Sequence, residues 1–343
     1  MDRDDYYPNF DIRPEVGVQV PSHFECHRYS GFEPSQAFDI VYGGHFEHRL
    51  LSPHKATMEH QRLTVSEVRI ESGAYDFPVI ALGAMPPDSV CIGFVAEGAE
   101  ITRYNTQEIG EDEIQIYGSS AELMYHAAGA SSWINFTAPQ DVLQRVAHER
   151  TGRPLRLPRR EVVSAQLSRG ARNHLRQLAG DAFSLAAALQ PSGIGEALAR
   201  ELSRAFIAAY VDALSTAEEH AQPSRTATAR RHYHLILACE RLALRSGLLD
   251  IDLADIARKS GYSLRSLERI FRSSVGMPPD RYFMNMRLNG ALRDLLAAGP
   301  TCTVTEVATR WGFKHLSRFA EYYRRAFGEL PSRTLSRAAS TSR

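Results

Sequence analysis

Short apolar runs dominate the chain between about Ala37 and Ala138. The clearest are Val65, Val68 and Ile70, then Val79-Ile80-Ala81-Leu82, then Val90 to Val95, Ile114 to Tyr117 and Trp133 to Phe136. Turn signals separate them at Met85-Pro86-Pro87-Asp88, Glu97-Gly98, Ile109-Gly110-Glu111-Asp112 and Gly118-Ser119. Strands of this length and spacing predict a small β-barrel or sandwich. The first 35 or so residues, rich in Pro, Gly and His, predict a partly ordered arm. After Pro139 the apolar period lengthens to that of helices, at about 140–151, 161–188 and 195–216, with Pro154 and Pro158 breaking the first from the second. In the last, Leu198, Leu202, Ala205, Ile207, Ala209, Tyr210 and Leu214 give apolar cover on more than one side. Such a helix is either buried between the barrel and its neighbour or packed against a second copy of the chain.

Near the end a motif is written twice. Asp255-Ile256-Ala257, Gly261-Tyr262 and the stripe Leu264, Leu267, Phe271, Val275 lead into Gly276. Glu306-Val307-Ala308, Gly312-Phe313 and the stripe Leu316, Phe319, Tyr323, Phe327 lead into Gly328. Both stripes have the i, i+3, i+7, i+11 spacing of one buried helix face. A short helix, a glycine turn and a second helix with an apolar back is the sequence form of a helix-turn-helix. Asp252 is the expected N-cap of the first unit, and Thr303-Val304-Thr305-Glu306 fits a capping box for the second. Between the units a helix of about 279–298, with Met284, Leu288, Ala291 and Leu295 on one side, ends at Gly299-Pro300. At ~1.5 Å per residue it is roughly 25–30 Å long, close to the ~34 Å repeat of B-DNA. Both second helices could then enter successive major-groove segments, and one chain would read an asymmetric site.

Charge supports that division. The 343 residues carry no formal net charge, but from Ala221 onward there are 21 Lys/Arg and 10 Asp/Glu, against 19 and 30 before it. The basic third suits phosphate contacts and the acidic remainder does not. Glu218 to Ala229, polar and holding Pro223, predicts a linker. The expected organisation is therefore residues 1–220 as an effector-sensing and dimerisation domain, 221–229 as linker, 230–335 as the DNA-binding domain and 336–343 as a loose tail. In fold class this is an α+β protein: a small cupin-like β-barrel with helices, then an all-α domain whose two helix-turn-helix units are joined by a long helix.

With the stripes turned inward, Arg265, Ser266, Glu268, Arg269 and Arg272 lie on the outer face of the first unit. Lys314, His315, Ser317, Arg318 and Glu321 lie outward in the second, with Arg324 and Arg325 near the backbone. Arginine can bind guanine O6 and N7 bidentately and glutamate can accept from cytosine N4. That makes Arg265, Glu268 and Arg269 the expected base readers, and Arg272 a phosphate contact.

Other chemistry is sparsely signalled. Cys26, Cys91, Cys239 and Cys302 lack metal-ligand spacing and are expected reduced. His45-Phe46-Glu47-His48 and the pair His23 and His27 are the nearest metal candidates, but the closely spaced His-x-His with a downstream Glu of cupin metal sites is missing. No nucleotide-binding glycine loop or Gly-x-Ser-x-Gly elbow occurs. No metal, cofactor or catalytic residue is therefore expected. No apolar run approaches the ~18 residues needed to cross a bilayer, and Met1-Asp2-Arg3-Asp4-Asp5 does not open a signal peptide. A cytoplasmic protein without a membrane partner is the expectation. A metal-dependent cupin-like enzyme fused to a DNA-binding module, and an architectural DNA binder of low specificity, remain the alternatives.

The stretch from about Arg230 to Leu335 resembles the AraC/XylS family of bacterial transcription regulators, in particular its XylS-like branch. Trp311-Gly312-Phe313-Lys314-His315-Leu316-Ser317-Arg318-Phe319, continuing to Gly328-Glu329-Leu330-Pro331-Ser332, and Arg287-Leu288-Asn289-Gly290-Ala291 carry the resemblance. It implies binding to double-stranded promoter DNA, an N-terminal effector or dimerisation domain, a homodimer in some members, and activation through RNA polymerase. Trp133-Ile134-Asn135-Phe136 before a helix at Asp141 looks like sensor domains from regulators of aromatic-acid catabolism and ethanolamine use. An unidentified small effector, an aromatic acid or amine, controlling a catabolic operon is what this implies.

Overall fold

The computed structural model describes residues 22–31, 46–51, 57–87, 89–219, 223–245, 252–299 and 301–341. Most of the expected N-terminal arm, and His45, lie outside them. Two antiparallel sheets make up the first half. The larger is built from β1 (His23–Ser30), β3 (Thr57–Val65), β4 (Val68–Tyr75), β11 (Ser131–Pro139), β6 (Ser89–Glu97), β9 (Glu113–Tyr117), β12 (Val162–Gln166) and β13 (Glu218–Glu219), in that spatial order. The smaller runs β2 (Phe46–Leu50), β5 (Val79–Ala84), β10 (Glu122–Ala127), β7 (Thr102–Tyr104) and β8 (Gln107–Glu108). All five strand runs expected from the sequence fall on strands. Neither sheet closes on itself, so the expected barrel takes the form of an open two-sheet sandwich.

Strand alternation sends successive side chains to opposite faces, and both faces of the larger sheet are covered. Ile134 and Phe136 of β11, with Ile70, Ile92 and Ile116, pack against α1 (Gln140–Thr151), α2 (Arg169–Leu189) and α3 (Glu196–Thr216). Phe136 stacks on Tyr210 with ring centroids 4.3 Å apart. Of the apolar cover noted on 195–216, Ile207 and Tyr210 are buried within the chain, Leu198, Leu202, Ala209 and Leu214 are half-buried, and Ala205 is exposed. The other face, with Tyr75, Tyr117 and Trp133, meets the smaller sheet. Residues 162–166, expected to begin a helix, are instead a strand. Val162 to Gln166 pair with Tyr117 to Glu113, and the helix starts only where Ser168 accepts from the Ala171 amide at 3.1 Å.

The second half is helical: α4 (Pro223–Arg245), α5 (Leu253–Lys259), α6 (Leu264–Val275), α7 (Pro279–Leu296), α8 (Val304–Arg310), α9 (Leu316–Phe327) and α10 (Pro331–Thr341). The expected linker is helical from Pro223 on, as the opening of α4; residues 220–222 lie outside the described set. The expected loose tail is also helical to Thr341, because α10 docks on α7. Thr334, fully buried, accepts from Tyr323 at 2.9 Å and donates to Glu329 at 2.6 Å. One apolar core runs without a break from the sandwich interior through the smaller sheet into these helices.

Candidate nucleic-acid interface

The doubled motif folds into two closely matched units. Asp252 caps α5 through the Ala254 amide at 2.9 Å. Thr303 and Glu306 close a reciprocal capping box on α8. In each turn the amide after the glycine returns to the buried alanine, Tyr262 to Ala257 O and Phe313 to Ala308 O, both at 2.9 Å. Gly261 and Gly312 sit at φ 79° and 75°, the left-handed region that penalises a Cβ. The second turn is one residue longer: Tyr262-Ser263 precede α6, whereas Phe313-Lys314-His315 precede α9. Ser263 caps α6 through Ser266 N, while His315 provides no side-chain cap.

Burial separates the faces of the two 12-residue helices. Leu267, Ile270, Phe271 and Val275 are buried on α6, and Phe319, Tyr323 and Phe327 on α9. Arg265, Glu268, Arg269 and Arg272 are exposed, as are Lys314, His315, Ser317, Arg318, Glu321, Arg324 and Arg325. Ser266 is half-buried and bonded to the Ser263 hydroxyl at 2.9 Å. Glu321 pairs with Arg325 one turn on, at 3.2 Å. The leading leucines depart from the expected stripe. Leu264 is 39% and Leu316 43% exposed, because each stands in the opening turn, ahead of the crossing helix. An apolar side chain at that end of a recognition helix can meet a thymine methyl. Periodicity alone assigned both to the core.

Helix α7 holds the two units together, and four adjacent residues divide the work. Arg287 donates to Trp311 O at 2.7 Å and to Gly312 O, and lies 4.1 Å from the Phe313 ring centre. Gly290 leaves room for Trp311; a Cβ there would be 2.1 Å from the indole. Asn289 faces the other way, accepting from the Leu50 amide at 2.8 Å and donating to Leu50 O at 3.0 Å. One carboxamide thus pairs with the edge strand β2 as a neighbouring strand residue would. Leu288 fills the core between.

Beside that contact lies a buried ionic network across the junction. Arg49 on β2 donates from Nε to Glu47 at 2.8 Å and from Nη1 to Glu240 of α4. Tyr282 of α7 donates to Glu240 at 2.5 Å, and Arg293 pairs with Glu47 at 2.9 Å. The side chains of Glu47, Arg49 and Glu240 are 3%, 3% and 6% exposed. Glu47 and Arg49 therefore face the helices while His48, alternating with them, enters the sandwich and contacts Tyr75 OH at 3.0 Å. Glu47 and His48, from the run considered for metal binding, thus lie on opposite faces of β2. Among the described residues no group of three His, Cys, Asp or Glu is placed to hold a metal. The signal available beforehand was the period-two alternation of Glu47 and Arg49 with Phe46, His48 and Leu50.

This burial predicts acid sensitivity. Burial would raise the Glu47 carboxyl, but Arg293 and Arg49 hold it at about 2. Burial, then His60, lowers His48 to about 4, and burial, then Arg103, does the same for His126. All three titrate lower folded than unfolded, so each contribution is full above its ordinary value and lost as pH falls through the shifted one. The melting temperature is expected to fall as pH drops from 6.5 towards 4, with the histidines. A further loss is expected below 4.5 with Glu47. A melting temperature constant from pH 7 to 4 in scanning calorimetry would contradict the buried placement.

Two helix-turn-helix units on one bridging helix, each with an exposed polar face, define a DNA-binding protein. A family profile described as a helix-turn-helix domain matches residues 256–337. Over this domain the chain is similar to regulators of the AraC/XylS type. It is 44% identical over 86 residues to a probable thc operon regulatory protein of Rhodococcus erythropolis, covering 25% of this chain and 26% of that protein. It is 42% identical over 88 residues to a XylDLEGF operon transcriptional activator of Pseudomonas putida, covering 25% and 27%. The chain thus spans about a quarter of the length of these relatives. Among solved structures, an AraC-type regulator from Chromobacterium violaceum aligns at 26% identity over 31% of this chain and 92% of its own, with a TM-score of 0.28. No described helix is long and apolar enough to cross a membrane.

Proposed function

We propose that the protein is a sequence-specific, effector-responsive transcription activator of a catabolic operon. The observation that carries this reading is the pair of matched scaffolds with unlike exposed faces. Arg265, Glu268 and Arg269 stand on one, and Ser317, Arg318 and Glu321 on the other. Two unlike readers on one bridging helix suit an asymmetric site of two successive major-groove segments. The DNA-binding domain occupies residues 230–335, and residues 1–220 sense a small organic effector and contact RNA polymerase or a second copy of the chain. The operon regulators that share the domain support this assignment. Regulation requires the effector to bind one of two arrangements more tightly. The junction of β2 with α4 and α7 is the element whose arrangement it would bias.

Arg269→Ala tests the reading. It is expected to cost ~1–3 kcal/mol of binding and to relax preference at one base position. Gel shifts at fixed salt, with the native promoter and single-base variants, measure both. A loss identical across all sequences would make Arg269 a phosphate contact. Equal affinity of the unmutated protein for promoter and scrambled DNA would remove the regulator reading itself.

A further inference from the structure

A cleft of about 1550 Å³ lies between strands of both sheets and the helices beside them. Its walls are the β7–β8 hairpin, β12, the segment between α1 and β12, and the first turns of α4. The cleft therefore touches both halves of the chain. Thr106 beside β7 donates to Ala229 O of α4 at 2.8 Å, tying the walls together.

Tyr104 and Gln115, both buried, are among the residues that line the cleft and mark its inner end. Gln115 is 1% exposed, yet among the described residues neither its carboxamide nitrogen nor its oxygen has a partner. A buried carboxamide with both atoms unpaired is costly, so this arrangement points to a hydrogen-bonding partner supplied by a ligand. The strand register adds a second carboxamide. Gln115 pairs with Gly93, and Gly93 with Asn135, so the two amides share one face with only a glycine between them. Asn135 is fully buried, its carboxamide is also without partners among the described residues, and its Oδ1 would lie 2.0 Å from a Cβ on Gly93. It leans across the notch towards Gln115.

Charge is already spent in that row. Glu71, the next residue beyond Asn135, is held by Arg62 at 2.8 Å and Arg69 at 3.1 Å, and Arg62 also faces Glu25 at 3.9 Å. The mouth mixes arginines with glutamates, Arg230 facing Glu161 at 3.6 Å, and exerts no single-sign pull. A carboxylate pushed to the inner end would be buried without a counter-ion, and it could offer no proton to Gln115 Oε1. A primary amide, urea or lactam supplies one donor and one acceptor, the complement of Gln115.

We infer that this cleft is the effector site and that its buried end selects an uncharged donor–acceptor group, with the ligand's apolar body between Tyr104 and Tyr233. The inference rests on the sensor reading above and departs from the charged effector, an aromatic acid or amine, that the family resemblance implied. It also gives a route outward. Tyr233 and Glu240 are seven residues apart, two turns along one face of α4, so a ligand against Tyr233 bears on the helix that anchors the ionic network.

Benzamide and benzoate, equal in shape and differing in charge, test this on the full chain by titration calorimetry and thermal shift. Benzamide is expected to bind at least tenfold tighter, and Gln115→Leu to weaken benzamide at least tenfold while leaving benzoate unchanged. Since that variant removes an unpaired buried amide, its own melting temperature is expected to hold. The comparison of the two ligands on the unmutated protein needs no variant at all. Benzoate binding as tightly as benzamide, benzamide indifferent to Gln115→Leu, or no binding of either at millimolar concentration would each overturn the site. Gel shifts with bound benzamide separate the two levels. Gln115-dependent binding that leaves promoter affinity unmoved supports the site and removes the effector-responsive reading.

Discussion

Arg49→Ala is expected to lower the unfolding free energy by ~3–5 kcal/mol, the range for breaking a buried ion pair from one side. The guanidinium serves two carboxylates from opposite sides of the junction, Glu47 on its own strand and Glu240 on α4. Without it Glu47 keeps Arg293, but Glu240, 5% exposed, is left among the described residues with only the Tyr282 hydroxyl. A buried charge so poorly compensated weakens the contact between the two halves as well as the fold. Denaturant titration followed by tryptophan fluorescence measures the loss, read from the first transition because a chain of this size need not unfold in one step. Arg49→Met with Glu240→Leu is expected to recover most of it, since apolar replacement of a whole buried pair is often neutral. A loss below about 1 kcal/mol for Arg49→Ala, the range of surface pairs, would show that the network is solvated and the junction loose.

Trp311→Ala is the second large effect, ~3–5 kcal/mol for truncating a buried aromatic. The indole is 4% exposed, lies over Gly290, and donates from Nε1 to Asp294 at 2.9 Å. Truncation leaves a cavity on α7 and removes the indole hydrogen bond from Asp294, which keeps Arg310 at 2.9 Å. The damage is expected to stay in the second unit, whose turn begins at Trp311, while α5 and α6 keep their own core of Ile256, Leu267 and Phe271. DNase footprinting of the promoter should then show protection lost at one end of the site and kept at the other. Uniform loss along the site would mean that the units do not read separate segments.

Much of the interface was legible because its signals are local. The caps at Asp252 and Thr303, the glycines at 261 and 312 and the helical stripes are each contained within about a dozen residues. The structure adds the exposure of Leu264 and Leu316, since a 3.6-residue period marks a face but cannot say where the covering helix stops. It also turns residues 162–166 into a strand, because the partner that decided it, β9, lies some 50 residues earlier.

By itself the sequence determined the repeated helix-turn-helix, the basic character of the second half, the strand-rich first half and the residues that face outward on the reading helices. Short-range backbone preferences and hydrophobic period specify such features window by window. Only the tertiary structure decided that β2 is clasped by α4 and α7, with Leu50 meeting Asn289 239 positions away and Arg49 meeting Glu240 across 191. It alone also placed Gln115 at the end of a cleft that reaches α4. Whether a charged or amide side chain is exposed, paired or waiting for a ligand depends on desolvation and on partners remote in sequence. Neither is written in the neighbourhood of the residue itself.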